Sequence, residues 1–183
     1  LHLTLASFGF GTHLQHMIST LYNNATGVVI NNNRISKSFQ VRRDVRQGDP
    51  LSPTLFLFAI ETLGLAIQIS KQIKGITINE VSYKVSMYAD DTLIVTDKTT
   101  ESITATIKVL GLFGDLSGCK LNNNKSIALY IGSKRECTDK PLNGTKLTWP
   151  TNTFTSLGVT IPVSNNNSSL FKINFDGKLE NIQ

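Results

Sequence analysis

The chain has 183 residues, of which 40% are hydrophobic and 17% are charged. These proportions are typical of a globular domain with a core and argue against a disordered chain. The formal net charge of +5 and the pI of about 9.3 favour polyanionic partners only weakly, because many basic proteins bind no nucleic acid. No secretory signal precedes Cys119 and Cys137, so we expect two free thiols inside the cell rather than a disulfide.

The first predicted elements are a helix and a hairpin. Leu14, Met17, Ile18 and Leu21 would share one face of a helix over residues 12–22. Residues 28–30 and 34–41 are predicted to pair as strands across a run of three asparagines, which tolerate the left-handed conformations of a tight turn.

The next predicted element is a long apolar helix over residues 52–70. Ser52 is a candidate N-cap and Pro53 the candidate first helical residue. The stretch 51–69 is apolar enough to suggest a membrane span, but it contains Pro53, Glu61 and Gln68. We therefore predict a buried core helix and no membrane association.

The remaining pattern mixes strands and helices without strict alternation, which predicts an α+β fold. A second hairpin is expected from residues 76–78 and 81–88, and Ala89-Asp90 should turn the chain into a strand over residues 92–96. Thr99 or Thr100 would cap a helix ending at Gly118, with Glu101 at its positive end. That helix has an apolar stripe of Ile103, Ile107, Leu110, Phe113 and Leu116. Further predictions are strands over 125–131 and 154–161, a polar connector over 132–153, and a helix beginning near Asn174.

Two adjacent carboxylates, Asp90 and Asp91, lie at the predicted turn after Tyr88-Ala89. Like charges so close repel one another unless a cation sits between them, which makes the pair a candidate metal site. Successive strand residues point to opposite faces, so one Asp would be the main ligand and the other would lie at the edge. The alternative is an ordinary surface turn.

A second candidate site is the loop that leads into the long helix. Gly48 would let a ligand approach the backbone, Gln47 offers hydrogen-bonding groups for a base or sugar, and Arg42, Arg43 and Arg46 suit phosphates. The alternative is a Pro-Gly turn before a capped helix.

These motifs together resemble a known family. Arg46-Gln47-Gly48-Asp49-Pro50-Leu51-Ser52-Pro53, followed about 40 residues later by Tyr88-Ala89-Asp90-Asp91, resembles the reverse transcriptases of non-LTR retrotransposons and group II introns. The wider spacing favours the LINE type of non-LTR element. Two later segments are similar to further blocks of the family in the same order: residues 117–126, from Ser-Gly-Cys-Lys-Leu-Asn to Lys125-Ser126, and residues 154–159, which include Leu157-Gly158.

The resemblance implies a partial polymerase palm, an antiparallel sheet with packed helices and a Tyr-Ala-Asp-Asp hairpin. Residues 1–163 would form the palm, and residues 164–183 a linker and the start of a thumb helix. The fingers and the first catalytic strand are missing. The chain begins at Leu1 and stops in a helix-like run, so we expect both ends to continue in a longer protein.

The resemblance also implies roles for individual residues. In the family, two divalent ions, Mg²⁺ or Mn²⁺, support nucleotidyl transfer to a primer 3′-hydroxyl. Asp90 would be a metal ligand and Asp91 its partner. Arg46, Gln47, Gly48 and Lys125 would contact nucleotide and template, although Lys125 could equally be a solvated lysine. Leu157 and Gly158 would form the primer grip. The partners would be an RNA template, a DNA primer and a deoxynucleoside triphosphate, in a cytoplasmic or nuclear ribonucleoprotein.

Several features depart from the family pattern. The first catalytic Asp is upstream of Leu1, and Asp44, Asp49, Glu61 and Asp97 do not fall in its position. Unusual residues for the family, which suggest a decaying element copy, are Asp44, Thr62, Gly64, Cys119 and Ser156. We therefore expect the chain alone not to polymerise. The alternatives are an inactive remnant that binds nucleic acid, and a non-functional product that folds poorly. The oligomeric state is open.

Overall fold

The computed structural model describes residues 1–41, 48–97, 99–131 and 147–163. The helices are α1 (His2–Ser7), α2 (Thr12–Tyr22), α3 (Ser52–Ile69) and α4 (Thr100–Ser117). The strands are β1 (Thr26–Gly27), β2 (Ile30–Asn31), β3 (Arg34–Ile35), β4 (Phe39–Gln40), β5 (Ile76–Ile78), β6 (Val81–Tyr83), β7 (Val85–Tyr88), β8 (Asp91–Ile94), β9 (Thr153–Ser156) and β10 (Val159–Pro162).

The fold class is α+β, as predicted. Across the described ranges the strands form five two-stranded sheets, which are β1–β4, β2–β3, β5–β6, β7–β8 and β9–β10. The chain divides into two compact units, and both contain helices and hairpins. The first unit comprises Leu1–Ser70 and Val85–Thr92, and the second comprises Lys71–Lys84 and Leu93–Gln183.

The core of the first unit lies where α1, α2 and α3 meet. Leu5, Ile18 and Leu55, one from each helix, are at most 3% exposed. Phe10 and Phe58 pack against them with ring centroids 4.8 Å apart in an edge-to-face arrangement. The helix α2 begins and ends where its apolar spacing predicts, whereas α1 was not predicted. Six residues are too few for the period of a helix to stand out.

The first hairpin region corrects the predictions of a strand over 28–30 and of one long strand over 34–41, since Val28 and Val29 lie between β1 and β2. Asn32 and Asn33 turn the chain with φ values of 46° and 59°, as expected of an asparagine turn. The pairing Ile30↔Ile35 then gives way to Gly27↔Phe39, with one more residue on the second strand than on the first. Such an extra residue is a bulge, and it splits the strand into β3 and β4.

The helix α3 forms as predicted, but Ser52 is not its N-cap. Leu51 is the N-cap residue and no side chain caps the helix end, while Ser52 is the first helical residue and is 4% exposed. In the described part of the chain α3 is long and apolar enough to cross a bilayer by length and composition, a property shared by core helices of soluble proteins. One face of α3 is buried, and the helix contacts α1 and β7.

A glycine sets how closely α3 can pack on β7. Gly64 is buried, and a Cβ added there would lie 2.5 Å from Cε of Met87. The residue that departs from the family pattern thus has a packing reason in this structure.

The second unit begins with a hairpin that the sequence predicts closely. Asn79 and Glu80 turn the chain from β5 to β6 with φ values of 47° and 65°. Gly75 is required before β5, because a Cβ there would overlap the carbonyl oxygen of Tyr83. The predicted strand 81–88 is interrupted at Lys84, which separates β6 from β7.

Both predicted ends of α4 are confirmed. The Thr99 hydroxyl accepts a hydrogen bond from the Ser102 amide at 3.3 Å, and Gly118 ends the helix with φ of 80°. The predicted apolar stripe is wrong in part, since Ile107 and Leu116 are exposed. The buried residues of α4 are instead small ones: Ser102, Ala105, Thr106 and Gly114.

Two predictions beyond α4 were wrong. Within the described ranges, residues 125–131 form no strand and make a single parallel bridge, between Ile127 and Thr148. Residues 154–161 are not one strand, because the chain turns at Leu157-Gly158 and β9 pairs with β10. Most of the predicted connector, including Cys137, falls in residues 132–146, which are outside the described residues. The predicted thumb helix falls in residues 164–183, which are outside them as well. The thiol of Cys119 is free and exposed.

Candidate active site

Asp90 and Asp91 lie at the tip of the β7–β8 hairpin in the first unit. Ala89 and Asp90 connect the two strands, and Ala89 takes the left-handed region with φ of 51°, which is uncommon for a residue other than glycine. Both aspartates are exposed, as is Tyr88 at 70%. The tip therefore presents two carboxylates to solvent from a short, tight turn.

Alternating burial along β7 helps to hold this tip in place. Along β7, Val85 and Met87 are half-buried while Ser86 and Tyr88 are exposed. Met87 lies against Gly64 of α3. A two-stranded hairpin is marginal alone in water, so packing on α3 is needed to hold its shape.

The carboxylates of Asp90 and Asp91 are suitable for a hard divalent cation, since Mg²⁺ prefers oxygen ligands. No group of three or more potential metal-binding side chains occurs among the residues that the structure describes. Asp90 and Asp91 thus fit part of a metal site. A complete site needs further oxygen atoms from elsewhere in the protein or from the substrate.

The glycine of the second candidate site lies in the same unit as the hairpin tip. Gly48 has φ of 85°, and none of the residues that the structure describes lies within 4 Å of the position that a Cβ would occupy. Glycine is needed for the backbone conformation there and not for packing, so its exposed side is open to a ligand. Arg46 and Gln47, like Arg42 and Arg43, fall outside the described residues.

The residue after Gly48 makes contacts that the sequence did not reveal. Oδ1 of Asp49 accepts a hydrogen bond from the Leu51 amide at 2.8 Å, and Oδ2 accepts one from the Tyr22 hydroxyl at 3.3 Å. The local bond could have been expected, because aspartate often binds the amide two residues ahead. The bond to Tyr22 crosses 27 residues and has no local signal.

The other predicted site residues belong to the second unit. Lys125 is exposed in a turn after α4, where its amide donates to the carbonyl oxygen of Asn122 at 3.1 Å. Leu157 and Gly158 form the turn between β9 and β10, with φ values of 49° and 77°. These two residues were predicted within a strand, and the structure places them at a hairpin tip instead.

A network of hydrogen bonds holds the chain beyond β8. The Val95 amide donates to the Lys84 carbonyl oxygen at 2.8 Å, and the Asp97 amide donates to the Lys74 carbonyl oxygen at 2.7 Å. Burial raises the pKa of Asp97, but hydrogen bonds from the Thr99 hydroxyl and amide and the charge of Lys74 outweigh it. The pKa is therefore lowered from the ordinary value of 3.8.

Comparisons with known proteins agree on one family. The family model described as "Reverse transcriptase (RNA-dependent DNA polymerase)" matches residues 2–161. A "Retrovirus-related Pol polyprotein from type-1 retrotransposable element R2" of Popillia japonica is 30% identical over 118 residues, covering 64% of this chain and 16% of that protein. A "Transposon TX1 uncharacterized 149 kDa protein" of Xenopus laevis is 30% identical over 132 residues, covering 71% of this chain and 10% of that protein. The chain thus spans less than a fifth of the length of these two relatives.

Proposed function

Because the chain belongs to the reverse transcriptase family, we propose that it supplies the palm of an RNA-directed DNA polymerase in a non-LTR retrotransposon. The reaction is transfer of a deoxynucleotide from its triphosphate to a primer 3′-hydroxyl opposite an RNA template. The observation that carries the proposal is the pair of exposed carboxylates on a tight turn that α3 supports.

Asp90 and Asp91 are the metal-binding residues in this proposal. Divalent cations held there would activate the primer hydroxyl and offset the negative charge of the leaving pyrophosphate. Asp90, in the turn, is the principal ligand and Asp91, the first residue of β8, lies at the edge of the site. The third carboxylate that the family uses is expected from a strand upstream of the matched region.

The other residues bind and orient substrates. Gly48 leaves room for the incoming nucleotide and the template, beside Arg46 and Gln47. Lys125 neutralises phosphate charge, which helps most as negative charge develops during transfer. Leu157 and Gly158, at a hairpin tip, hold the primer end. Residues 164–183 lead into a thumb, and the whole works inside the cell as a ribonucleoprotein.

Primer extension tests the proposal. The 183-residue chain alone should not extend a DNA primer on an RNA template with Mg²⁺ or Mn²⁺, because the third carboxylate is missing. A fusion that places the upstream part of the beetle R2 relative ahead of Leu1 should extend it. Asp90→Ala should abolish that activity, and Asp115→Ala, an exposed aspartate on α4, should not.

Two results would contradict these expectations. Extension by the 183-residue chain that disappears in Asp90→Ala would show that the upstream carboxylate is dispensable. Extension by the fusion that is equal in Asp90→Ala and Asp115→Ala would refute the catalytic role of the hairpin tip.

A further inference from the structure

The loop that carries Gly48 is tied to α2 by a cluster of three polar side chains. The Tyr22 hydroxyl lies 3.3 Å from Oδ2 of Asp49 and 3.1 Å from Oγ of Ser52. Tyr22 is the last residue of α2 and Ser52 the first residue of α3. The cluster therefore joins the ends of two helices that are 30 residues apart in the chain.

The direction of each hydrogen bond follows from the chemistry of the groups. An ionised carboxylate only accepts, so Tyr22 must use its one hydrogen to donate to Asp49. The hydroxyl of Ser52 must then donate to the oxygen of Tyr22. Both oxygen atoms of Asp49 accept hydrogen bonds from this chain, because Oδ1 accepts from the Leu51 amide at 2.8 Å.

These bonds constrain the backbone next to Gly48. The carbonyl oxygen of Asp49 accepts from the Ser52 amide at 3.1 Å, so the side chain and the main chain of Asp49 are both anchored. Tyr22 is itself held, since its ring packs against the core residues Leu5, Ile18 and Leu55. Among the described residues, none lies within 4 Å of the position that a Cβ of Gly48 would occupy. A fixed backbone with an open face is what a bound nucleotide needs from such a loop.

We propose that Tyr22 and Asp49 are positioning residues, which hold residues 48–51 in the conformation that receives the nucleotide and template. This inference rests on the proposed function. Neither residue touches the reacting atoms. Asp49 acts through the backbone that it binds, and Tyr22 acts through Asp49.

The first test measures amide hydrogen exchange of the 183-residue chain. Tyr22→Phe keeps the packed ring and removes only the hydroxyl, so exchange at Leu51 and Ser52 should become about fivefold faster, as expected for one lost hydrogen bond. Asp49→Ala should do at least as much. Asp49→Asn can still accept from the Leu51 amide and should stay within about twofold of the wild type. Tyr83→Phe, at an exposed tyrosine of the second unit, is the matched control.

The pattern separates positioning from a general loss of stability. Interior amides of α3 should keep their wild-type exchange rates in Tyr22→Phe. The proposal is overturned if Leu51 and Ser52 exchange as in the Tyr83→Phe control, or if the whole of α3 loosens to the same extent.

The second test measures binding of a fluorescein-labelled RNA–DNA primer–template in the presence of a deoxynucleoside triphosphate. Tyr22→Phe should weaken binding about threefold or more, whereas the single variant Asp49→Asn should bind within about twofold of the wild type. Wild-type binding that Tyr22→Phe leaves unchanged overturns the inference. If the Leu51 and Ser52 amides exchange faster in Tyr22→Phe but the wild type does not bind the primer–template, the positioning role of Tyr22 and Asp49 is upheld and the proposed function is overturned.

Discussion

At the scale of single residues, buried polar side chains are the most informative. Ser102 is fully buried, and its Oγ accepts from the Lys74 amide at 2.7 Å and donates to the Gln72 carbonyl oxygen at 3.1 Å. Its one hydrogen is donated, and one of its two acceptor positions is used. A serine in the first turn of a helix suggests a cap from sequence, and its partners 28 and 30 residues away cannot be read from local pattern.

Ser102→Ala should therefore be strongly destabilising for a substitution of one atom. It removes the partner of the Lys74 amide and of the Gln72 carbonyl, both in part-buried hydrogen bonds, and the expected loss is about 1–3 kcal/mol in the free energy of unfolding. Urea denaturation measures it. Ser117→Ala, in the exposed last turn of the same helix, removes two local bonds, one to the Phe113 carbonyl and one from the Cys119 amide, and should cost less than about 1 kcal/mol because both are exposed. Equal losses in the two variants would show that burial of Ser102 is not the cause.

At the scale of elements, the packing of α3 on β7 depends on residues that face one another. Gly64 has no Cβ, and the end of the Met87 side chain fills the space that a Cβ would need. In an exposed helix, changing glycine to alanine gains about 1 kcal/mol. Here the gain is opposed by a contact with the strand that leads to Asp90.

A double-mutant cycle tests this opposition. Gly64→Ala should give no net stabilisation in the wild type, because Met87 has to move. In the Met87→Ala background the same substitution should stabilise by about 1 kcal/mol. Urea denaturation of the four proteins measures the coupling. A gain of about 1 kcal/mol in both backgrounds would mean that the two residues do not interact.

The stability of the N-terminal end of α4 depends on pH through Asp97. The Asp97 carboxylate accepts from the Thr99 hydroxyl at 2.6 Å and from its amide at 3.3 Å. Because these bonds and Lys74 lower the pKa of Asp97 below 3.8, its ionised form stabilises the folded state. That contribution is present above the unfolded pKa and is lost as the pH falls through the folded pKa.

Asp97→Asn should therefore be less stable than the wild type at pH 6, and the difference should shrink below about pH 3.8. The effect is modest, on the order of 1 kcal/mol or less, because Asp97 is partly exposed to solvent. Thermal melts of both proteins across this range measure the difference. If the stability difference between the two proteins does not change with pH, the effect of the substitution comes from side-chain geometry and not from the charge of Asp97.

At the scale of the whole molecule, charge is the property relevant to a nucleic-acid partner. The chain carries 18 lysine and arginine residues against 13 acidic ones. Release of counterions makes binding to a polyanion fall steeply with salt, and each phosphate contact adds about 0.7–0.9 to the slope. The proposed contact of Lys125 with phosphate can be tested in this way.

Lys125→Gln should lower the slope of log affinity against log salt for an RNA–DNA primer–template by about 1. Lys108→Gln, an exposed lysine on α4, should leave the slope unchanged. Fluorescence anisotropy over a series of salt concentrations measures both. Equal slopes in the two variants would show that Lys125 is a solvated surface lysine that contacts no phosphate.

Much of the local structure could be predicted because neighbouring residues are sufficient to produce it. The apolar spacing of α2, the asparagine turn at Asn32-Asn33, and the Thr99 and Gly118 caps of α4 involve short-range bonds and backbone preferences. The ordered family motifs likewise lie in the chain itself, and they identify the family without a structure. Asp90 and Asp91 were found in this way.

Features that depend on distant residues could not be read in the same way. The bulge that splits β3 from β4 and the buried face of α4 depend on what packs against them. The hydrogen bonds of Ser102 with the Lys74 amide and the Gln72 carbonyl also depend on packing, and so does the bond from Tyr22 to Asp49. The sequence determines which chemical groups are present and their local conformations. Burial, and hydrogen bonds between residues about 30 apart, arise only once the helices and hairpins have packed. For that reason the sequence predicts the carboxylates at the hairpin tip, and it does not reveal the bond that joins Tyr22 to the loop of residues 48–51.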